Sequence, residues 1–364
     1  MGVNIAQYRK EKNIKDLVKP WLFEAEEYNF TDIKDGIRLH LNESPFPTPE
    51  FIIEEVKKVL DKGNRYQHPE LLEELRLRIA DYANVEKENV FVSTGADNCI
   101  RILFNTLLLP YDLVVFNYPS YGMYPVFSSF RGNKVVRVNM IEGEEWWNAD
   151  FDKILEASKS AKLVIIDDPN NPTGSPIFRG RLDILKELLE LTNGFVVIDE
   201  AYYEFSGYTV VPLINEYPNL IIVRTLSKAF SLASYRVGYI IANSELIKLL
   251  MKGFTPFEIP LPSMIAAITA LSNPSYSRNV VEEIVKNREY LKQGLRKLGF
   301  KVFNSLTNFL LVKSSINLQQ ILMKHRIAIR NPLNGYYRIT VGKKEEVEKV
   351  LEVLGEEVEN SNTK

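Results

Sequence analysis

The sequence predicts an α/β fold: a large domain on a mostly parallel central sheet, joined to a smaller α+β domain. Three observations predict it. Short apolar runs recur at Val90-Phe91-Val92, Leu113 to Phe116, Leu163 to Ile166, Phe195 to Ile198 and Leu220 to Val223, with helical segments between them. Strands that are apolar throughout belong to parallel sheets covered on both faces by crossover helices. Each run ends in a polar turn, and in such sheets ligands sit beyond the carboxyl ends of the strands. After Phe254-Thr255-Pro256 the texture changes to a long helical stretch and short, separated strands. The expected divisions are an arm over 1–45 packing with the small domain, a large domain over 46–253 and a small domain over 254–364.

In order, residues 1–37 are rich in Lys, Glu and aromatics, with a helix expected over Ile14 to Tyr28. Pro45, Pro47 and Pro49 alternate, which forbids regular helix or central strand, so 39–49 is a fixed irregular crossing. Thr48-Pro49 reads as the cap and first residue of a helix over Glu50 to Leu60. After a loop over 63–69, Leu72, Leu75, Ile79 and Tyr82 form the apolar stripe of a helix over Glu70 to Ala83. The five runs follow, and Val237 to Ala242 adds another strand. In the second part, Ile284, Leu291, Leu295 and Leu298 share one face of a helix over Arg278 to Leu298. Strands are expected at 310–312 and 337–341, and a last helix over Lys344 to Leu354. Glu356 to Lys364 is polar and expected to fray.

Charge and composition exclude several classes of function. The net charge is −2, from 45 basic and 47 acidic residues, which gives no electrostatic case for nucleic acid or an anionic membrane. No stretch approaches the roughly 20 apolar residues of a membrane helix. Met1 to Lys19 is charged and lacks an apolar segment, so no secretory leader is expected. Cys99 is the only cysteine, which excludes an intrachain disulfide and is compatible with a cytoplasmic location. The three histidines are far apart, so no zinc site is expected.

The candidate chemistry centres on Thr225-Leu226-Ser227-Lys228-Ala229-Phe230, which follows the 220–223 run. A lysine acting as nucleophile must lose its proton near neutral pH, and crowding, desolvation and a cationic neighbour assist that. Thr225, Ser227 and Arg236 suit a phosphate held beside it. Lysine plus phosphate anchor points to pyridoxal phosphate held as a Schiff base; a solvated lysine on a turn is the plain alternative. Asp199 ends an apolar run, where a buried carboxylate needs a cationic partner such as a protonated pyridine nitrogen; a helix cap is the alternative. Tyr202 could hydrogen-bond the ring oxygen, as could Asn171 or, equally, Asn170. Gly95, Ala96 and Asp97 sit at a strand-to-helix junction where backbone N–H groups can approach a phosphate. Tyr121 could stack on a planar ring. Arg338, with Arg330, could bind a substrate carboxylate or phosphate. Packing, capping or surface roles would explain any one of these alone; together they converge.

These residues carry a resemblance. Asn42-Glu43-Ser44-Pro45, Asn64-Arg65-Tyr66, Gly95-Ala96-Asp97, Pro119-Ser120-Tyr121-Gly122-Met123-Tyr124, Asn171-Pro172-Thr173-Gly174, Asp199-Glu200-Ala201-Tyr202, the Lys228 segment with Arg236-Val237-Gly238, Asn308-Phe309-Leu310-Leu311-Val312 and Tyr337-Arg338-Ile339-Thr340-Val341-Gly342 stand in one order. The chain resembles the fold-type I pyridoxal-phosphate aminotransferases, most closely the histidinol-phosphate branch. The resemblance implies that Lys228 binds the cofactor covalently and shuttles the substrate's α-proton. It implies that Asp199 pairs with the ring nitrogen, that Tyr202 and Asn171 contact the ring oxygen and that Tyr121 stacks. Gly95 to Asp97, Thr225, Ser227 and Arg236 would hold the phosphate, and Tyr66 would reach the phosphate of the neighbouring subunit in a homodimer with shared sites. Asn42, Asn308, Arg330 and Arg338 would serve the substrate, an amino donor paired with a 2-oxo acid. In the arm, Pro20-Trp21 stands where the branch has a tyrosine, and Phe257 replaces a second; both tyrosines would touch a phosphorylated substrate. Asn98 stands where an acidic residue is common. An aromatic aminotransferase, favoured by Trp21 and Phe257, and a phosphothreonine decarboxylase on the same scaffold are therefore alternatives.

Overall fold

The computed structural model describes residues 13–28 and 32–362. Expectations for 1–12, 29–31 and 363–364 lie outside the described residues. The central sheet has seven strands: β1 (Val90–Ser93), β2 (Leu113–Tyr118), β3 (Lys134–Asn139), β4 (Leu163–Asp167), β5 (Phe195–Asp199), β6 (Leu220–Thr225) and β7 (Gly238–Ala242). Their spatial order is β1-β7-β6-β5-β4-β2-β3. All neighbours pair in parallel except β7, which is antiparallel to both β1 and β6. The fold is thus the expected α/β arrangement.

Side-chain alternation along these strands feeds two cores. Val164, Ile166, Val196, Ile198, Leu220 and Ile222 join one, while Leu163, Ile165, Val197, Ile221 and Val223 join the other. The same alternation sorts the polar residues that end the strands. Arg224 falls in phase with Ile222 and meets Glu200 at 2.7 Å, a fully buried pair on one side of the sheet. Asp167, Asp199 and Thr225 fall in the opposite phase, on the side that opens into the cavity described below.

Beyond the central sheet, Lys301–Val302, Phe309–Lys313, Arg330–Leu333 and Tyr336–Thr340 form a four-stranded sheet flanked by the helices Ser275–Lys297 and Lys344–Asn362. Asn42 bridges the two regions: its N–H donates to Thr340 Oγ1 at 3.0 Å and its Nδ2 to the Tyr202 hydroxyl at 2.8 Å.

Several expected elements differ. Over Ile14 to Tyr28 there is no α-helix but two short 3-10 turns, Ile14–Asp16 and Pro20–Glu24, because Pro20 denies a donor to any helix passing through it. Helix Glu50–Lys57 stops before Leu60, and Pro49 is its cap rather than its first residue. The last helix runs through the polar tail to Asn362 instead of fraying at Glu356. The described part of the arm touches both regions. Ile37–Arg38 does pair with Ile327–Ala328. Trp21, however, donates to Phe130 O, and Glu26 bonds Ser129 and Arg137, all beside the central sheet. Helix Leu261–Ser272 likewise packs on the helices Glu50–Lys57 and Pro69–Ala83.

Candidate active site

A cavity of about 630 Å³ opens at the carboxyl ends of β4, β5 and β6. Twelve of the sequence-predicted residues line it: Asn42, Ala96, Asp97, Tyr121, Asn171, Asp199, Tyr202, Thr225, Ser227, Lys228, Arg236 and Arg338. Lys228 lies just past β6, its Nζ 3.3 Å from Leu41 O. Burial, with the Arg338 charge adding to it, pushes the Lys228 amine down to about 8. An ordinary lysine needs a pH near 10.4 for the same deprotonation. In cofactor-free protein, Lys228 is therefore expected to react with an amine-directed reagent at half its limiting rate near pH 8, while surface lysines still gain rate through pH 10. Peptide mass spectrometry across pH measures this, and a Lys228 rate that climbs in parallel with the surface lysines would refute it.

Asp199 Oδ2 accepts from the Tyr124 hydroxyl at 2.9 Å, and its Oδ1 accepts from the Ala201 N–H at 3.0 Å. Burial pushes this carboxyl up to about 6, against the pull of the Tyr124 bond. The Tyr202 hydroxyl is pushed up by burial. Tyr121 donates its hydroxyl to Asp97 Oδ1 at 2.8 Å.

The anion end of the cavity is built from backbone. Helix Ala96–Leu107 begins there with its N–H groups free of earlier carbonyl partners. Gly95, at φ 87°, permits the turn, and a Cβ on it would stand 2.4 Å from Arg236 Nη2. Gly238 has the same function from below, since its Cβ would lie 2.3 Å from Ala96 N. Arg236 pairs with Asp97 at 3.2 Å, and the Thr225 and Ser227 hydroxyls bond one another at 2.9 Å. Asn98 and the hydroxyls of Ser93 and Thr94 all donate to Glu258, which brings a carboxylate to this turn from far along the chain.

At the other end Arg338 is 9% exposed yet faces no carboxylate. Its Nη1 donates to Asn171 Oδ1 at 2.7 Å and its Nη2 to His40 O at 2.6 Å, while its Nε has no partner. A buried guanidinium with an idle N–H lining a cavity is a receptor for an anion.

Four predicted residues stand outside this cavity. Gly95 lies under its rim, against Arg236. Asn308 is buried behind it and donates Nδ2 to Asn42 O at 3.0 Å, so it braces rather than lines. Arg330 lies 5.0 Å from the Tyr28 ring centroid in an adjoining recess of about 230 Å³. Tyr66 is 79% exposed and stacks on Phe257 at 4.5 Å. Trp21 packs over Gly132 and lines neither space. The arm residue that lines both is Tyr28, which sequence reasoning missed because it expected the helix. Asp167 and Tyr124 were also missed. Asp167 had a signal, the same run-ending position that singled out Asp199. Among the described residues, no group of three His, Cys, Asp or Glu is placed to hold a metal ion, and no helix is long and apolar enough to cross a membrane.

A parallel sheet whose strand ends present a half-buried lysine, a buried aspartate and a glycine-lined anion turn defines a class of enzymes, and comparison with known proteins agrees. The chain belongs to the class I and II aminotransferases, whose sequence pattern matches residues 34–354. It is 62% identical to the histidinol-phosphate aminotransferase of Sulfurisphaera tokodaii over 97% of this chain and 99% of that one. It is 36% identical to the protein of that name from Thermoanaerobacter pseudethanolicus, over 90% of this chain and 95% of that one. The fold matches the histidinol-phosphate aminotransferase of Sinorhizobium meliloti, solved in complex with pyridoxal-5'-phosphate, with a TM-score of 0.82 at 24% identity over 89% of this chain and 91% of that one.

Proposed function

We propose that this chain is a pyridoxal-phosphate-dependent aminotransferase that exchanges the amino group between histidinol phosphate and 2-oxoglutarate. The observation that carries the reading is that Lys228, with its amine lowered to about 8, and the buried Asp199 line one cavity that also contains an anion turn and an unsatisfied arginine. These residues fit the cofactor. The Gly95 turn, Thr225, Ser227 and Arg236 would hold its phosphate, Asp199 its ring nitrogen, Tyr202 and Asn171 its ring oxygen, and Tyr121 its face.

Bound there, pyridoxal phosphate supplies a carbonyl that takes up the amino group and a cationic ring that draws electrons from the substrate's α-carbon. Lys228 Nζ would hold the cofactor and, once free, would act as base. It would take the proton from the substrate's α-carbon and deliver it to the cofactor's aldehyde carbon, on the far side of the amino nitrogen. An amine lowered to about 8 is suited to both directions, since proton exchange is fastest when the catalytic group titrates near the working pH. Asp199, kept anionic by the ring's positive charge and by Tyr124, holds the proton on the ring nitrogen. The Arg338 guanidinium would take an acidic group of each substrate, and Asn171 orients it. Phe309, fully buried, packs against the Arg338 guanidinium, its ring centroid 5.4 Å away.

The S. tokodaii relative supports the choice of substrate, as does Tyr28. With Arg330 it offers a phenol and a cation at the mouth, where a phosphorylated donor's far end would lie. Of the two residues that favoured an apolar donor, Trp21 packs elsewhere and Phe257 stacks on Tyr66, and neither lines the cavity. The test is a half-reaction. Purified yellow protein should lose its visible band on adding histidinol phosphate and regain it with 2-oxoglutarate. A band that persists with histidinol phosphate but is bleached by an aromatic amino acid would replace the substrate, and release of carbon dioxide from phosphothreonine would replace the reaction.

The exposed Tyr66–Phe257 stack supports a homodimer in which Tyr66 reaches the neighbouring site; a monomer in sedimentation at micromolar concentration would remove it. The domain division at 46–253 and 254–364 and a cytoplasmic location belong to the same reading. Limited proteolysis and cell fractionation test them.

A further inference from the structure

Asp167 is the last residue of β4, and its Cα is paired with that of Asp199 on β5. Paired residues of parallel neighbours share a face, and both carboxyls line the cavity. Asp167 is 3% exposed. Its Oδ2 accepts from the backbone N–H of Tyr121 at 3.1 Å and of Asn171 at 2.9 Å, and its Oδ1 accepts from Asn170 Nδ2 at 2.8 Å. Asn170 Nδ2 also reaches Pro119 O at 3.0 Å. One carboxyl therefore ties together two loops, 119–121 and 170–171, that approach from different strands. Its neighbour Asp168 serves the far side instead, accepting from the Ile177 and Phe178 N–H groups at 2.9 Å, and does not line the cavity. Burial pushes the Asp167 carboxyl up to about 8; the Asn171 N–H draws it down and the Asp199 charge adds to the rise. Two carboxyls side by side with no ion-paired cation are costly to bury. A fold that needed only a turn could be held by Asp168 alone.

We propose that Asp167 is a positioning residue for the cofactor ring, fixing through two backbone N–H groups the separation between Tyr121 on the ring face and Asn171 at the ring oxygen. The proposal rests on the cofactor reading above. It assigns Asp167 to the ring and not to the phosphate turn, whose residues come from β1, β6 and the helix Ala96–Leu107.

The experiment compares cofactor-free parent, Asp167→Ala and Asp167→Asn. Each is titrated with pyridoxal 5'-phosphate and, separately, with inorganic phosphate as a ligand for the turn alone. Asp167→Ala should raise the dissociation constant for pyridoxal phosphate about tenfold or more, the effect of losing hydrogen bonds to a buried charged group, and leave that for phosphate within about twofold. Asp167→Asn keeps one carbonyl acceptor and should fall between. It also answers the question if the alanine protein does not fold. Equal binding of pyridoxal phosphate by parent and variants would overturn the proposal and leave the function standing. A parallel loss of both ligands would overturn it in favour of a purely structural role. A parent that binds phosphate but not pyridoxal phosphate would overturn the function and the proposal together.

Discussion

Replacing Lys228 with alanine is expected to lower the rate of amino transfer by at least about 1,000-fold, because the proposed mechanism has one side chain both bind the cofactor and move the α-proton. The loss should appear in a single turnover with histidinol phosphate as fully as in steady state, and a small external amine should restore part of it. Stability should move the other way. Lys228 has a folded-state pKa of about 8, lowered from 10.5, so below pH 8 the folded protein carries a buried charge that the unfolded chain hydrates. That penalty is present in full below pH 8 and fades as pH rises towards 10.5. At pH 7 the cofactor-free alanine variant should melt no lower than the parent. A variant that turns over at the parent's rate without added amine would end the assignment of Lys228.

Arg338→Ala should lower kcat/KM by roughly 30- to 1,000-fold, corresponding to about 2–4 kcal/mol for a buried charge pair broken on one side. The effect should fall on the KM of both the amino donor and the 2-oxo acid, with affinity for inorganic phosphate nearly unchanged, since Arg338 contacts Asn171 and His40 and not the phosphate turn. Arg338→Lys should recover only part, because a point charge cannot reproduce the two-pronged geometry. Steady-state kinetics with each substrate varied in turn measures it. Loss of kcat at unchanged KM would show that Arg338 does not hold the substrate.

The sheet was legible because its physics is periodic and local. Runs such as Leu163 to Ile166 and Phe195 to Ile198 are apolar at every position, as only strands covered on both faces are. Strand ends told where the site lies, and Asp199, Lys228 and Thr225 sit there for that reason. What local pattern could not show is which side chains meet across the chain. Arg338 is 110 residues from Lys228 in sequence and is brought to it by pairing between Phe309–Lys313 and Tyr336–Thr340. Glu258 answers Asn98 across a comparable gap. The arm misled because its mix of Lys, Glu and aromatics suggested a helix over Ile14 to Tyr28, whereas Pro20 breaks the backbone and tertiary contacts with Phe130 and Ser129 set its path. Edge strand β3 was passed over because its residues are mostly exposed and Lys134 and Arg137 interrupt its apolar pattern.

His40 and Leu41 are consecutive, and their carbonyls receive the Arg338 guanidinium and the Lys228 amine respectively. One peptide unit thus joins the two carbonyls that hold these cations, so a shift of the 40–41 backbone would be felt at both side chains.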